Sequence, residues 1–388
     1  KTVLDVFRSG DYVVIFDLKS GYHHIEIAEE HRKYLGFRCK VDGRVSTFEF
    51  CVLPFGLSTA PFIFTKLTKP LLAHWRRQGI RCQLYMDDGT GGHESYQGAL
   101  KVAATMKADL IQAGFTPHPT KCCWIPSRKV EVLGFELDFE HGEITASNRR
   151  VQLFQKRVAE LQRKRPVSAR AVASLAGTLL STSVALGPIC RLRTRGMYRF
   201  IESRSTWNAL KFLPSDVAEE IRFWANTFAK LHGQPMWKSE PVKAVLTWSD
   251  ASDSGWGGFT LSKGFEVARG NWPPEVCERN MSSTWRELKG TELVLESLAL
   301  AVEGCTCIHR TDNQAAGYIL MNGSRHAHLQ EIALSIHRIC QQYGIQLVAE
   351  WVPREENELA DYYSKIVDAD DWSVNPVVFE WLDEEWGP

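Results

Sequence analysis

The chain has 388 residues, 44% of them hydrophobic and 24% charged, with 46 basic and 46 acidic side chains and a formal net charge of zero. That length is too great for one ordinary core and points to two or three domains, while the lack of any run of 18 or more apolar residues excludes a membrane-spanning helix. Ten cysteines with no CxxC pair and no histidine pair at zinc-finger spacing exclude a zinc module and read as reduced thiols.

The chain begins at Lys1 with no signal peptide, which reads as a fragment of a longer intracellular protein, in cytoplasm or nucleus and not secreted. Residues 1–145 alternate strands and helices, an α+β arrangement. Tyr12 to Phe16 predicts a strand ending at Asp17, Ser58 to Trp75 a helix and Ile80 to Tyr85 a strand. Leu100 to Ala113 predicts a helix stopped by Gly114, and Val130 to Phe139 a further strand. Residues 146–240 read as mostly helical, with helices over Arg150 to Arg163, Ala169 to Leu180 and Asp216 to Leu231. Between Arg149 and Arg204 stand thirteen basic residues and two acidic ones, Glu160 and Glu202, the footprint of a surface that tracks phosphates. His232-Gly233-Gln234-Pro235 and the Lys/Pro/Glu stretch to Val242 mark a domain boundary.

Residues 241–366 predict a second α/β domain. Its strands are Ala244 to Ser249, Trp256 to Leu261, Phe265 to Gly270, Thr306 to Arg310 and Ile345 to Val352. Its helices are Trp285 to Val302, His328 to Tyr343 and Glu358 to Lys365. Residues 367–388 form a C-terminal tail.

Two sets of acidic residues carry the chemistry. Asp17 ends one apolar strand and Asp87-Asp88 follow another. Carboxylates set close together at a buried strand tip repel, and divalent cations relieve that cost. Mg²⁺ takes oxygen ligands, and two ions roughly 3.5–4 Å apart clamp both the attacking and leaving oxygens of a phosphoryl transfer. Side chains alternate along a strand, so Asp17 and Asp87 are expected as the main ligands with Asp88 second. Asp87-Asp88-Gly89 also reads as a hairpin turn.

Phe16-Asp17-Leu18-Lys19-Ser20-Gly21-Tyr22-His23-His24-Ile25, Leu53-Pro54-Phe55-Gly56-Leu57-Ser58-Thr59-Ala60-Pro61-Phe62 and Tyr85-Met86-Asp87-Asp88 resemble motifs A, B and C of reverse transcriptases from LTR-type retroelements, in order and separation. The resemblance implies a polymerase palm with partial fingers over 1–145 and a helical thumb and connection over 146–240. Tyr22 would be the steric gate against a 2′-OH. Phe55 and Gly56 would lie against the incoming deoxynucleoside triphosphate, and Lys121 would protonate the pyrophosphate or hold its charge. Leu133-Gly134-Phe135 would grip the primer end, and the basic helices, with Arg149, Arg150 and Arg157, would track the RNA template and DNA primer through phosphate contacts. Plainer readings stand beside these: a half-buried strand tyrosine at Tyr22, a Pro-Phe-Gly turn, a surface lysine. The chain departs from the pattern at Gly89-Thr90-Gly91-Gly92, a poor strand former. The fingers that grip the triphosphate would precede residue 1.

In the second domain Asp250 and Asp312 follow strands, Glu287 lies in the first turn of a helix and Asp361 in the last short helix. In that order they resemble ribonuclease H, an α/β fold with a mixed sheet that would gather all four around two Mg²⁺ ions, with Mn²⁺ a possible substitute, to hydrolyse the RNA of an RNA–DNA hybrid. Singly, Thr284-x-x-Glu287 also reads as a capping box and Asp312 as a helix cap. LPFGLSTAPFIFT over 53–65, TWRELKG over 284–290 and the segment Asp368 to Pro376 resemble the DIRS and Ngaro retrotransposons, which implies a tyrosine recombinase encoded by the same element as a partner and no membrane partner. The alternative is a catalytically inactive or structural nucleic-acid-binding derivative of such an element.

Overall fold

The computed structural model describes residues 3–163, 166–237, 244–262, 264–278, 281–366 and 376–387. Lys164 and Arg165 of the basic stretch, the boundary over 238–243 and the segment 367–375 lie outside the described residues. The chain forms two compact units. One comprises Lys1–Val167, Gly177–Gly187 and Ile221–Ser239, the other Ser168–Ala176, Pro188–Glu220 and Glu240–Pro388. Among the described residues no helix is long and apolar enough to cross a membrane.

In the first unit an antiparallel sheet runs in the order Arg81–Tyr85, Asp88–His93, Tyr12–Asp17, Cys123–Ser127. Phe16 packs on one face against Phe64 and Trp75 of helix Ala60–Arg77 and Met106 of helix Tyr96–Gln112. Val13 packs on the other against Phe7, Leu137 and Ile144. Burial on both faces explains why Tyr12 to Phe16 reads as an unbroken apolar run.

Asp88–His93 is an inner strand despite Gly89, Gly91 and Gly92. Packing supplies the reason. A Cβ at Gly89 would overlap the Phe16 ring, and one at Gly91 the Met106 sulfur. The low strand propensity of glycine yields here to the close approach of a buried ring and a thioether.

The predicted strand Val130 to Phe139 is instead a hairpin. Lys129–Val132 pairs with Phe135–Asp138 around Leu133-Gly134, whose φ values of 52° and 78° both lie in the left-handed region. Two-residue hairpin loops require that twist, and glycine supplies half of it. A further hairpin, Gly36–Val41 with Arg44–Glu49, is exposed along its whole length. With no buried face it has no alternation from which a strand could be read.

The second unit carries a five-stranded sheet in the order Glu266–Asn271, Gly255–Thr260, Ala244–Ala251, Thr306–Thr311, Gln346–Trp351. The first three pair antiparallel and the last three parallel. Helices Ser283–Ser297 and Ala327–Gln342 bury Leu288, Leu295, Ile332 and Ile336 in one core with Val245 and Cys307. The sheet is thus mixed, and it sets the ends of Ala244–Ala251 and Thr306–Thr311 side by side.

Candidate functional site: two carboxylate clusters

Asp17, 9% exposed, closes the Tyr12–Asp17 strand directly opposite Asp88 in the antiparallel register. Asp87 and Met86, the latter at φ 54°, form the two-residue turn between Tyr85 and Asp88. The turn is therefore Met86-Asp87, not Asp88-Gly89. The Asp87 carbonyl accepts the Leu18 N–H at 3.0 Å, tying this tip to the end of the Asp17 strand. Burial, then the charges of Asp87 and Asp17, raise the Asp88 carboxyl above its ordinary pKa. Lys121 Nζ donates to Asp17 Oδ2 at 3.1 Å, and that bond, reinforced by Asp87 and Asp88, raises the pKa of its ammonium. Three carboxylates and one lysine share one field.

Asp17, Asp88 and Lys121 line a cleft of about 720 Å³ together with Leu133, Gly134 and Arg149. Asp87 borders Gly21, where an added Cβ would lie 3.4 Å from the Asp87 Cβ. Tyr22 sits in a 3₁₀ turn, Gly21–His24, rather than a strand. Its ring packs 5.0 Å from that of Phe55 and 5.4 Å from Phe64, and its hydroxyl meets Met86 Sδ at 4.0 Å. Phe55 is 64% exposed. Gly56 has φ 89° with open space where a Cβ would stand, so its glycine answers to the turn conformation.

The basic stretch is divided in its roles. Arg149 is exposed. Arg150 donates to Leu133 O and to Ser181, and Arg157 donates to Thr178 Oγ1. In the second unit Arg193 is buried, Arg195 donates to Asn322 O at 2.7 Å and Arg199 pairs with Asp216. Several of these cations therefore hold protein groups.

In the second unit Asp250, Glu287 and Asp312 bring carboxylate oxygens within 4.8 Å of one another, the one such trio of potential metal ligands among the described residues. Asp250 and Glu287 are each 6% exposed. Burial, then the charges of Asp250 and Asp312, push the Glu287 carboxyl up to about 9. Its Oε2 is buried without a hydrogen-bond partner. Burial also raises Asp250, against a hydrogen bond from Ser364 Oγ at 2.8 Å. Asp361 stands outside the trio. Burial alone would raise it, but hydrogen bonds from Lys365 at 2.6 Å and Arg354 at 3.2 Å outweigh that and lower its pKa. Its charge acts on Asp250.

The plainer roles of these residues are taken by neighbours. Ser282, not Thr284, caps the Ser283–Ser297 helix by accepting the Trp285 N–H. Asn313, not Asp312, caps Gln314–Asn322 by accepting the Ala316 N–H. Glu287 and Asp312 are left to face each other.

Behind the trio lies a buried polar network absent from the sequence reading. His309 bonds Thr247 Oγ1 at 2.9 Å and Ser249 Oγ at 3.0 Å, Ser249 bonds Thr291 Oγ1 at 2.9 Å, and Thr291 donates to Glu287 O at 2.9 Å. Burial pushes the His309 ring down to about 4 and keeps it neutral. Asn357 Nδ2 donates to Ser249 O at 3.1 Å. His309 and Ser364 each lie three residues from a predicted carboxylate, but only the strand register sets His309 beside Thr247 and Ser249, and only the packing of helix Glu358–Lys365 brings Ser364 to Asp250.

Glu287 gives a pH test. Its folded pKa of about 9 lies above the ordinary 4.5, so its stabilising contribution is complete below about 4.5 and is lost as pH rises through 9. In divalent-free buffer Glu287→Gln, which cannot ionise, should melt at least as high as the parent near pH 5 and higher near pH 8.5, by an order of a few kcal/mol. Equal melting differences at the two pH values would count against an ionising buried Glu287.

Residues 3–137 match the family model described as reverse transcriptase (RNA-dependent DNA polymerase). The chain is 23% identical over 329 residues to the enzymatic polyprotein of Figwort mosaic virus (strain DxS), covering 82% of this chain and 45% of that protein. It is 35% identical over 125 residues to the retrovirus-related Pol polyprotein from transposon gypsy of Drosophila melanogaster, covering 32% of this chain and 11% of that protein. The chain spans less than half the length of these curated relatives. Among solved structures, foamy viral protease-reverse transcriptase in complex with RNA/DNA hybrid superposes with a TM-score of 0.51 at 14% identity, over 97% of this chain and 49% of that one. The same protein in complex with dsDNA also gives 0.51 at 14% identity, over 90% and 69%. The fold is thus the mixed α+β fold of the foamy viral protease-reverse transcriptase, consistent with a reverse transcriptase palm followed by a ribonuclease H-like domain.

Proposed function

We propose that this chain, whose residues 3–137 form a reverse transcriptase domain of a retroelement or viral polyprotein, copies an RNA template into DNA at Asp17, Asp87 and Asp88 and degrades the RNA of the resulting hybrid at Asp250, Glu287, Asp312 and Asp361. The observation that carries the nuclease half is the carboxylate trio, with Asp250 and Glu287 buried and one Glu287 oxygen unpartnered. Carboxylates so placed must be protonated or face a cation. The donor set is all oxygen, which fits Mg²⁺, with Mn²⁺ as a substitute. Asp17 and Asp87 would hold two ions at one site and the four nuclease carboxylates two at the other, supplying charge stabilisation for in-line phosphoryl transfer.

The chain's own residues complete the polymerase reading. The Tyr22 ring fills the space beside the sugar, and Phe55 and Gly56 flank the incoming deoxynucleotide. Lys121, kept charged by Asp17, neutralises the departing pyrophosphate or gives it a proton. Leu133-Gly134-Phe135 seats the primer end in the cleft it shares with Asp17, and Arg149 meets the backbone there. LPFGLSTAPFIFT and TWRELKG support a finer placing in the DIRS and Ngaro group, with a tyrosine recombinase of the same element as partner and a site of action in cytoplasm or nucleus.

Purified chain with Mg²⁺ should extend a DNA primer on an RNA template and cleave labelled RNA in a hybrid, and EDTA should stop both. Failure of both with Mg²⁺ and with Mn²⁺ would leave the inactive nucleic-acid-binding derivative as the reading. Tyr22→Ala should raise ribonucleotide incorporation by about ten- to a hundredfold relative to deoxynucleotides. Unchanged sugar selectivity would refute the gate.

A further inference from the structure

We infer that Arg150 is a positioning residue: it braces the strained Leu133-Gly134 turn at the polymerase cleft, and its guanidinium is not a phosphate contact. The inference rests on the polymerase reading above and assigns that site one more residue.

Leu133 is the first residue of a two-residue hairpin loop that needs positive φ at both positions. Asparagine or glycine takes that conformation readily, whereas a leucine at φ 52° is an outlier that persists only when its surroundings hold it. Arg150, on helix Asn148–Arg163, supplies the hold. Its Nη2 donates to Leu133 O at 3.1 Å, and its guanidinium lies 4.6 Å from the Phe135 ring centroid. A Cβ on Gly134 would stand 2.5 Å from Arg150 Nε, so the turn backbone lies directly against the guanidinium. Nη1 donates to Ser181 O and Oγ, each at 3.2 Å, anchoring the brace to the end of helix Ala169–Ser181. Ser147 N–H adds a bond to Gly134 O at 3.1 Å.

The held turn puts Leu133, 43% exposed, on the wall of the cleft that Asp17 and Asp88 also line. The planar fork reaches a carbonyl through Nη2 and a helix end through Nη1 while it lies over a ring, so both terminal nitrogens are engaged with protein groups. Lysine, a point charge on a flexible stem, cannot reproduce it. Arg149 and Arg150 both line this cleft, but Arg149 is exposed whereas Arg150 has both terminal nitrogens on protein oxygens, so Arg149 is the one placed for the phosphate role.

The test compares the full chain with Arg149→Met, Arg150→Met and Arg150→Lys. Hydrogen exchange of the free chain is followed at Leu133, Gly134 and Phe135, and binding of a DNA primer on an RNA template is measured over a range of KCl. Both Arg150 variants should speed exchange of the turn amides by about tenfold or more and leave the salt slope of binding unchanged, while Arg149→Met lowers that slope by about one. Nucleotide addition should fall about ten- to a hundredfold in both Arg150 variants, with primer–template Kd within about twofold. The proposal is overturned if turn exchange is unaltered, if Arg150→Met lowers the salt slope by about one, or if Arg150→Lys behaves as the parent. Should the parent chain add no nucleotide, the polymerase reading fails, and exchange at the turn still decides the brace.

Discussion

Asp250→Asn is expected to lower hydrolysis of the RNA strand of a hybrid by about a thousandfold or more while primer extension stays within about twofold. The substitution keeps the shape of the side chain and removes one charge from a trio whose oxygens lie within 4.8 Å of one another. Burial and neighbouring carboxylates already raise the Asp250 pKa, so losing its charge relieves repulsion. The variant should therefore melt no lower than the parent in divalent-free buffer, which separates lost chemistry from lost folding. Retained hybrid cleavage, or loss of extension along with it, would contradict an independent nuclease site here.

Asp87→Asn should do the reverse: nucleotide addition falls by about a thousandfold or more and hybrid cleavage persists. The Asp87 backbone is fixed by its turn and by the hydrogen bond its carbonyl accepts from the Leu18 N–H, so the change is confined to the side chain. The affected charge is one of three that act together on Lys121. Single-nucleotide addition to a labelled primer, measured beside hybrid cleavage on the same preparation, reads both effects. If extension survives in Asp87→Asn, the pocket around Met86 and Tyr22 is not where nucleotides are joined.

The two substitutions also bear on how charge is distributed in the clusters. Among the described residues Asp250, Glu287 and Asp312 draw together more tightly than Asp17, Asp87 and Asp88 do. Lys121 sits on Asp17, and Arg354 and Lys365 on Asp361. In each pair an exposed cation meets a largely covered carboxylate, and a divalent cation, which takes carboxylate oxygens, competes for the same atoms.

Element types were largely legible, because periodicity and chain order record which faces are buried. Tyr12 to Asp17 reads as a strand since both its faces meet apolar side chains, and Glu358–Lys365 reads as a helix with its bounds intact. The hairpin Gly36–Val41 with Arg44–Glu49 left no trace because exposure imposes no pattern. The glycine-rich strand Asp88–His93 ran against propensity because its constraint lies in the Phe16 ring and the Met106 sulfur, residues far away in sequence.

What the sequence by itself determined is which carboxylates stand at the ends of apolar strands, and in what order and spacing. What only the tertiary structure decided is which groups share a field and which are already engaged. Register puts Asp17 across from Asp88, and Met86-Asp87 rather than Asp88-Gly89 at the turn. Packing buries Glu287 against Asp250 and Asp312, while Asp361 lies outside that trio and is paired with two cations. It also turns Arg150 inward beside an exposed Arg149, two residues that sequence treats alike. The physical reason is that charge, burial and hydrogen bonding depend on distance in space, and distance along the chain fixes that only within a turn or a strand.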